Sequence, residues 1–365
     1  MSLILSGDSG ITFPNSSTQA VGFYGFKNRI INGAMAIDQR NAGASVTLTN
    51  GYTLDRWQTQ SSPASKATFQ QNAGSVTPPV GFVNYAGITS TSSYSVSAGD
   101  YFNIWQPIEG LNVGDLGWGT ANAKTVTLSA WIYSSLTGTF GGAFRNADAT
   151  RSYPFTYSIP VANTWTQISV TVAGDTTGTW LKTNGIGIGV FFSIGTGSTY
   201  SGTAGTWAGA NYTSATGATS VVGTNGATFY ITGVQLEAGS TATSFDYRPY
   251  GTELDLCQRY FCVLGAGNGY NITLGVWFST TQVNICPSFP VTMRTAPSVY
   301  STTGTGYYGI DFSGISSYIP SWTAYRTSPY STMLFCTGLT GGTTGAAGQV
   351  FTNNASSFLG LSAEL

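Results

Sequence analysis

The sequence predicts an all-β protein: a jelly-roll β-sandwich, then a short helical linker, then a smaller C-terminal β-sandwich. Three observations carry this. The chain has 48 Gly and abundant Ser and Thr, yet aromatic residues make up 14% and charged residues only 7%. Disordered chains are poor in aromatic and β-branched residues, so a folded β protein with a hydroxyl-covered surface fits this composition. Short alternating runs bounded by Gly/Ser/Thr turns recur along the chain. Only one stretch, "GTELDLCQRYF", has the capping and charge pattern of a helix. At 365 residues, the chain has room for two cores.

Taken in order, residues 1–27 include "SGDSGITFPNSSTQ" and are too few and too polar to form a core alone, so they need a partner. Residues 28–245 hold the main strands. "KTVTLSAWIYS" places Val126, Leu128, Ala130 and Ile132 on one face, the period-2 signature of a half-buried strand. "WTQISVTVAG", "GIGIGVFFSIG" and "ATFYITGVQLEAG" read as further strands. Many short strands separated by turn signals indicate a sandwich or jelly roll. The segment 195–220 is long for a loop in a compact domain. It is expected to be functional, to contain a hairpin, or to be covered by a partner. Among the tryptophans, Trp131 and Trp165 fall in strands and read as core, whereas Trp105, Trp118 and Trp207 fall in or beside loops.

Residues 246–261 form the linker. From Gln235 to Tyr260 there are six charged residues in 26, against 13 basic and 14 acidic in the whole chain. "DYRPYG", containing Arg248, reads as an extended segment ending in a turn. Thr252 is placed to cap the helix, with Asp255 three residues on as in a capping box. Glu253 and Asp255 suit the positive end of the helix dipole and Arg259 the negative end. Asp255 and Arg259 also form a favourable i,i+4 pair. Leu254, Cys257 and Phe261 supply an apolar stripe. These charges are accounted for as caps and pairs in a structural joint. Glu253 and Asp255 point in different directions on a helix, so they do not make an acid–base pair.

Residues 262–365 repeat the β pattern on a smaller scale, in "GYNITLGVWFST", "TQVNICPSFPVTM", "APSVYSTTG", "TMLFCTGLT" and "SSFLGLSAEL". Within them, "DFSGISSYIPSWTAYRTSPYST" gathers Tyr318, Trp322, Tyr325, Arg326 and Tyr330 in a Pro-stiffened loop. Sugars present apolar C–H faces to aromatic rings and hydroxyls to neutral donors, and stiff aromatic loops lose little entropy on binding. These five are the candidate ligand-binding residues, the competing reading being that they pack in a core or between subunits.

Several function classes recede. The formal net charge of −1, with no basic block, disfavours nucleic-acid binding. No apolar run reaches the ~18 residues that cross a bilayer, so no membrane insertion is expected. "MSLILSGDSG" lacks the basic start of a secretory signal. Cys257, Cys262, Cys286 and Cys336 have no C-x-x-C spacing and read as reduced, buried thiols. The chain has no His, which removes the commonest base and metal ligand. No catalytic residue and no cofactor is expected. Asp38, Asp55, Glu109 and Asp115 are the only acids weighed for a structural Ca²⁺, and no D-x-D-x-D loop supports one.

"GVQLEAGSTATSFDYRPYGTELDLCQRYF" closely resembles a linker of tail-fibre and other virion-surface proteins of bacteriophages and prophages. There it follows a domain resembling a carbohydrate-binding-module jelly roll. "NRIINGAMAIDQRNAG", "YTLDRWQ", "LSAWIYSSLTGTFG" and "TWTQISVTVAGDTTGTW" resemble parts of that domain. "FPVTMRTAPSVYSTTG" and "LSAEL" resemble the first and last strands of a small C-terminal domain, and "SGITFPNSSTQ" resembles N-terminal segments of phage fibres. The resemblance implies a homotrimeric fibre assembled in the host cytoplasm. Its N-terminus would be held by a baseplate or other virion protein, and its distal C-terminal domain would bind a host surface glycan or lipopolysaccharide. A capsid- or baseplate-decorating fibre and a glycan depolymerase are the alternatives.

Overall fold

The structure is a computed structural model; it describes residues 26–312 and 314–365 and, before them, the backbone of three short strands. Those strands, β1 (Ile4–Ser6), β2 (Gly10–Thr12) and β3 (Thr18–Gln19), pair in sequence order. Apart from Phe26 and Lys27, the remainder of the expected attachment segment lies outside the described residues.

The first unit comprises β4 (Val46–Thr47), β5 (Gly51–Leu54), β6 (Trp57–Ser61), β7 (Ala67–Gln71), β8 (Ala86–Ser90), β9 (Tyr101–Glu109), β10 (Val126–Ser134), β11 (Gly138–Arg145), β12 (Ser152–Ile159), β13 (Thr166–Val172), β14 (Ile186–Thr196), β15 (Ser201–Gly202), β16 (Ser214–Ala215) and β17 (Thr228–Ala238). Two six-stranded sheets result, in the orders β13-β10-β17-β8-β7-β4 and β12-β11-β14-β9-β6-β5. Their inner faces share one core. Val126, Leu128, Ala130 and Ile132 of β10 all turn into it, as their alternation predicts, and meet Phe140, Phe144, Phe192 and Phe229. Trp118 also belongs to this core and Trp105 is buried, which corrects their reading as loop-side residues; Trp131 and Trp165 are only half-buried. The segment 195–220 holds no hairpin. It carries a two-residue parallel pair, β15 with β16, and lies against the outside of the second sheet.

A single helix, α1 (Tyr250–Gln258), leads to the second unit. Its strands are β18 (Phe261–Ser279), β19 (Gln282–Ile285), β20 (Ser298–Ser301), β21 (Tyr308–Phe312), β22 (Ile315–Ile319), β23 (Thr323–Tyr325), β24 (Met333–Thr337) and β25 (Ala347–Ser362). They form one sheet, β22-β21-β25-β18-β19-β24-β23, with β20 paired to β25. Its edges, β22 and β23, are joined by only three residues, a reach of at most about 14 Å. The sheet therefore curls on itself around Trp277, Tyr308, Trp322, Leu334 and Leu359. The segment expected to open this unit, 289–304, instead contributes β20, while β18 opens it. Cys257, Cys262 and Cys336 are free and buried as expected; Cys286 is free but exposed.

Candidate functional site

The charged stretch lies where the two units meet. α1 starts at Tyr250 behind Pro249, and no side chain caps it. Thr252 is exposed and the expected capping box does not form. The reason is local: Pro at the first boundary needs no N–H partner and its fixed φ starts the turn earlier. Asp255 is exposed, and Arg259 pairs elsewhere, correcting the expected i,i+4 pair. Its Nη2 and Nε donate to Glu109 at 2.7 and 3.1 Å. The Tyr260 hydroxyl donates to the same carboxylate at 2.6 Å. Glu109 sits at the end of β9 and is 1% exposed. Three donors thus satisfy one buried carboxylate, the condition under which a buried charge is tolerated.

Arg248 and Glu253 form a second clamp, with Nη1 3.2 Å from Oε2. Arg248 also donates to the carbonyls of Asn28 and Ile30, and Glu253 accepts from the Asn32 N–H. The linker is thereby tied to residues 28–32. Behind it Ile31, Ile37, Cys257 and Tyr260 pack together, with Leu254 against them. Phe261, expected on the helix stripe, is the first residue of β18 instead.

A third cluster was not foreseeable from local sequence. Arg56 donates to Glu364, and Arg40 donates to the same carboxylate at 3.1 Å. Arg56 lies 3.6 Å from the Tyr260 ring centroid and Arg40 3.6 Å from that of Phe261. Asp55 accepts from the Gln39 side chain at 2.6 Å and backbone at 2.7 Å. Burial outweighs these bonds and the nearby Arg40, and pushes the Asp55 carboxyl up to about 6. Burial also raises Tyr260 to about 12, helped by its bond to Glu109. The joint carboxylates are therefore spent on internal cations and donors. Of the acids weighed for Ca²⁺, Asp38 accepts from the N–H groups of Asn41 and Gly43, and Asp115 pairs with Arg29. No group of three or more metal-ligating residues occurs among the described residues.

The five aromatic-loop candidates separate. What the sequence suggests is a loop is largely strand, β22 and β23. Trp322 is 6% exposed and packs in the C-terminal core beside Tyr308, with ring centroids 6.0 Å apart, which removes it from the candidate site. Tyr318, Tyr325 and Tyr330 are 56%, 49% and 72% exposed. Tyr318 stands on edge strand β22 and Tyr325 on edge strand β23, flanking the seam of the curled sheet. Arg326 follows in a left-handed backbone conformation, φ 50°, uncommon outside Gly. Its guanidinium lies 5.2 Å from the Tyr325 ring centroid. Tyr330 rides a turn closed by Ser328 N–H to Ser331 O at 2.8 Å.

Beside Tyr318 is a hollow of about 330 Å³ lined by Thr305, Ser316, Ser317, Pro320 and Thr340, among others. Ser316 is oriented by Asp311, at 2.5 Å. A ring wall next to several hydroxyls, with the Asp311 carboxylate at its margin, suits a polyhydroxyl ligand. Thr305 and Thr340 are missed by sequence reasoning, because they reach the hollow from turns distant along the chain.

No family model and no curated protein matches the chain. Among solved structures, the enzymatically active domain of tailspike protein 4 of bacteriophage CBA120 aligns at 11% identity and a TM-score of 0.32, over 59% of this chain and 22% of that one. A putative sugar binding protein from Bacteroides thetaiotaomicron aligns at 11% identity and 0.34, over 58% and 100%. A family 11 carbohydrate-binding module from Clostridium thermocellum, solved with a β-1,3-1,4-mixed-linked tetrasaccharide, aligns at 12% and 0.27, over 55% and 100%. The chain thus spans about a fifth of the tailspike chain. At these scores the alignments carry no argument about ligand.

Proposed function

We propose that this chain is a receptor-binding fibre of a bacteriophage, which attaches the particle to a host surface glycan through the C-terminal unit and acts by binding, not catalysis. The observation that carries the reading is the exposure of Tyr318 and Tyr325 on the two curled-sheet edges and of Tyr330 on the following turn, on a hydroxyl-rich surface beside Arg326. Large rings held out on strands and tight turns, rather than on slack loops, are suited to stacking on sugar rings. The linker "FDYRPYGTELDLCQRYF" and its resemblance to virion-surface proteins supply the setting. The absence of His and the engagement of the joint carboxylates by arginines favour binding over hydrolysis.

The same reading makes the fibre a homotrimer. On β18, Leu274, Val276 and Phe278 point outward and are 72%, 46% and 65% exposed, while Gly275 and Trp277 between them are buried. Such an apolar stripe on a soluble surface is suited to covering by another chain. Light scattering should give a mass three times the 38.2 kDa chain; a monomer rejects the trimer.

For attachment, purified protein added to host cells should compete with particles for adsorption. The triple variant Tyr318→Ala/Tyr325→Ala/Tyr330→Ala should fold but not compete. Equal competition by the variant rejects these residues as the contact, and no competition by the parent protein rejects the attachment role.

A further inference from the structure

The hollow beside Tyr318 lies along the free edge of β22, not on one face of the sheet. Side chains of a strand alternate between faces, yet Ser316, Ser317 and Tyr318, three in a row, all line it. Segment 338–340, which follows β24, supplies another wall. The two walls touch where Ser317 Oγ donates to the Thr340 carbonyl at 3.4 Å.

Register shows which main-chain groups the hollow receives. Only two residues join β21 to β22, and Phe312 pairs with Ile315 across them. The pair beside a two-residue connection exchanges both hydrogen bonds, and bonded and non-bonded pairs alternate from there. Ile315, Ser317 and Ile319 therefore direct their N–H and C=O groups to β21. Ser316 and Tyr318 direct theirs away from it, toward the hollow. β22 is the last strand of its sheet, and no other described residue bonds to those groups through its main chain.

The surrounding groups sort by type. Ser316 Oγ gives its proton to Asp311 at 2.5 Å, so toward a ligand it only accepts. The N–H groups of Ser316 and Tyr318 need an acceptor. Pro320 and Leu339 add apolar lining, and Leu339 is fixed in the C-terminal core. A sugar hydroxyl answers a donor or an acceptor but leaves the apolar lining unused. An acetamido group answers all three, with a carbonyl that accepts, an N–H that donates and a methyl.

We propose that this hollow selects an N-acetylated amino sugar, whose acetamido carbonyl accepts from the β22 edge, whose methyl meets Pro320 and Leu339, and whose ring lies against Tyr318. The inference rests on the reading of the C-terminal unit as glycan-binding and names the chemistry of the glycan. Extended peptides also dock on strand edges. Here the free groups belong to two residues only, and Pro320, without an N–H, ends the edge.

The test is saturation-transfer NMR on the full chain with N-acetylglucosamine, N-acetylgalactosamine, glucose, galactose and a tetra-alanine peptide blocked at both ends. The N-acetyl sugars should receive saturation, most strongly at the acetyl methyl, and should bind on the order of tenfold more tightly than glucose or galactose. Ser316→Pro removes an edge N–H that β21 does not use, at a position where an edge strand tolerates Pro. It should weaken N-acetylglucosamine binding more than Ser316→Ala, which keeps that N–H. Thr340→Trp, made at an exposed position, fills the hollow and should abolish the signal even if Ser316→Pro does not fold. Equal saturation of glucose and galactose overturns the acetamido inference and leaves the glycan reading in place. So does silence from every sugar in a protein that still competes for adsorption, whereas loss of that competition rejects the glycan reading itself. The inference is also overturned by tighter binding of the peptide, by equal effects of Ser316→Pro and Ser316→Ala, or by a signal that survives Thr340→Trp.

Discussion

The joint and the C-terminal rim divide the chemistry of this molecule between them. At the joint, charges are buried and answered: Glu109 by Arg259 and Tyr260, Glu364 by Arg56 and Arg40, Glu253 by Arg248. At the rim, charge is scarce and Tyr318, Tyr325 and Tyr330 face solvent. The first region is specific because each carboxylate is met by its own set of donors and would be costly to strand. The second has surface to spare and no internal partner to lose. In a chain with so few charges, the place where they concentrate marks a structural seat, and the rim leaves its rings uncommitted to any internal partner.

This contrast can be broken most forcefully at Glu109. Glu109→Ala leaves the buried Tyr260 hydroxyl and the half-buried Arg259 without their acceptor and should cost about 3 kcal/mol, read as a fall in Tm; a change within error would mean that the joint does not hold the units together. Trp322→Ala tests the boundary of the rim. As a core residue it should cost about 3 kcal/mol by opening a cavity, measured by urea unfolding, whereas a mere contact residue would leave the midpoint in place.

Asp55 gives the joint a pH signature. Its folded carboxyl titrates near 6, above the ordinary value of about 3.9, so the folded state holds its proton more tightly. Its contribution to stability is complete below about pH 4 and is lost as pH rises through 6, on the order of 3 kcal/mol. The stability difference between the parent protein and Asp55→Asn, followed by urea unfolding from pH 4 to 7, should fall across that window; a flat difference removes the effect. The smallest change is expected at the rim. Tyr330→Ala should alter stability by less than about 0.5 kcal/mol while weakening adsorption. A stability loss comparable to that of Trp322→Ala would show the ring to be structural.

The two regions were unequally legible. The density of charge from Glu237 to Arg259 marks the joint, and the alternation of Val126, Leu128, Ala130 and Ile132 marks a strand of the sandwich. The partners of those charges were not legible, because Glu109 is 150 residues from Arg259 and Glu364 is 308 from Arg56. Burial, not local propensity, selected them. The helix start was displaced because Pro249 offered a better boundary than Thr252. β22 and β23 are hard to read because they are short, Ser316 and Ser317 blur the alternation of β22, and Pro320 between them suggests a loop, so Trp322 reads as a loop aromatic although it fills the core.

The pairing of Phe261 with Ser362 sets the first and last strands of the C-terminal unit side by side at the joint. The chain enters and leaves the unit at that pairing, like a bit in a chuck, and Arg294 adds a bond from within it to the carbonyl of Asn184. Loops there can lengthen, shorten or be replaced wholesale by recombination without moving the socket. A protein built on this plan can change its exposed loops while keeping how the unit is seated.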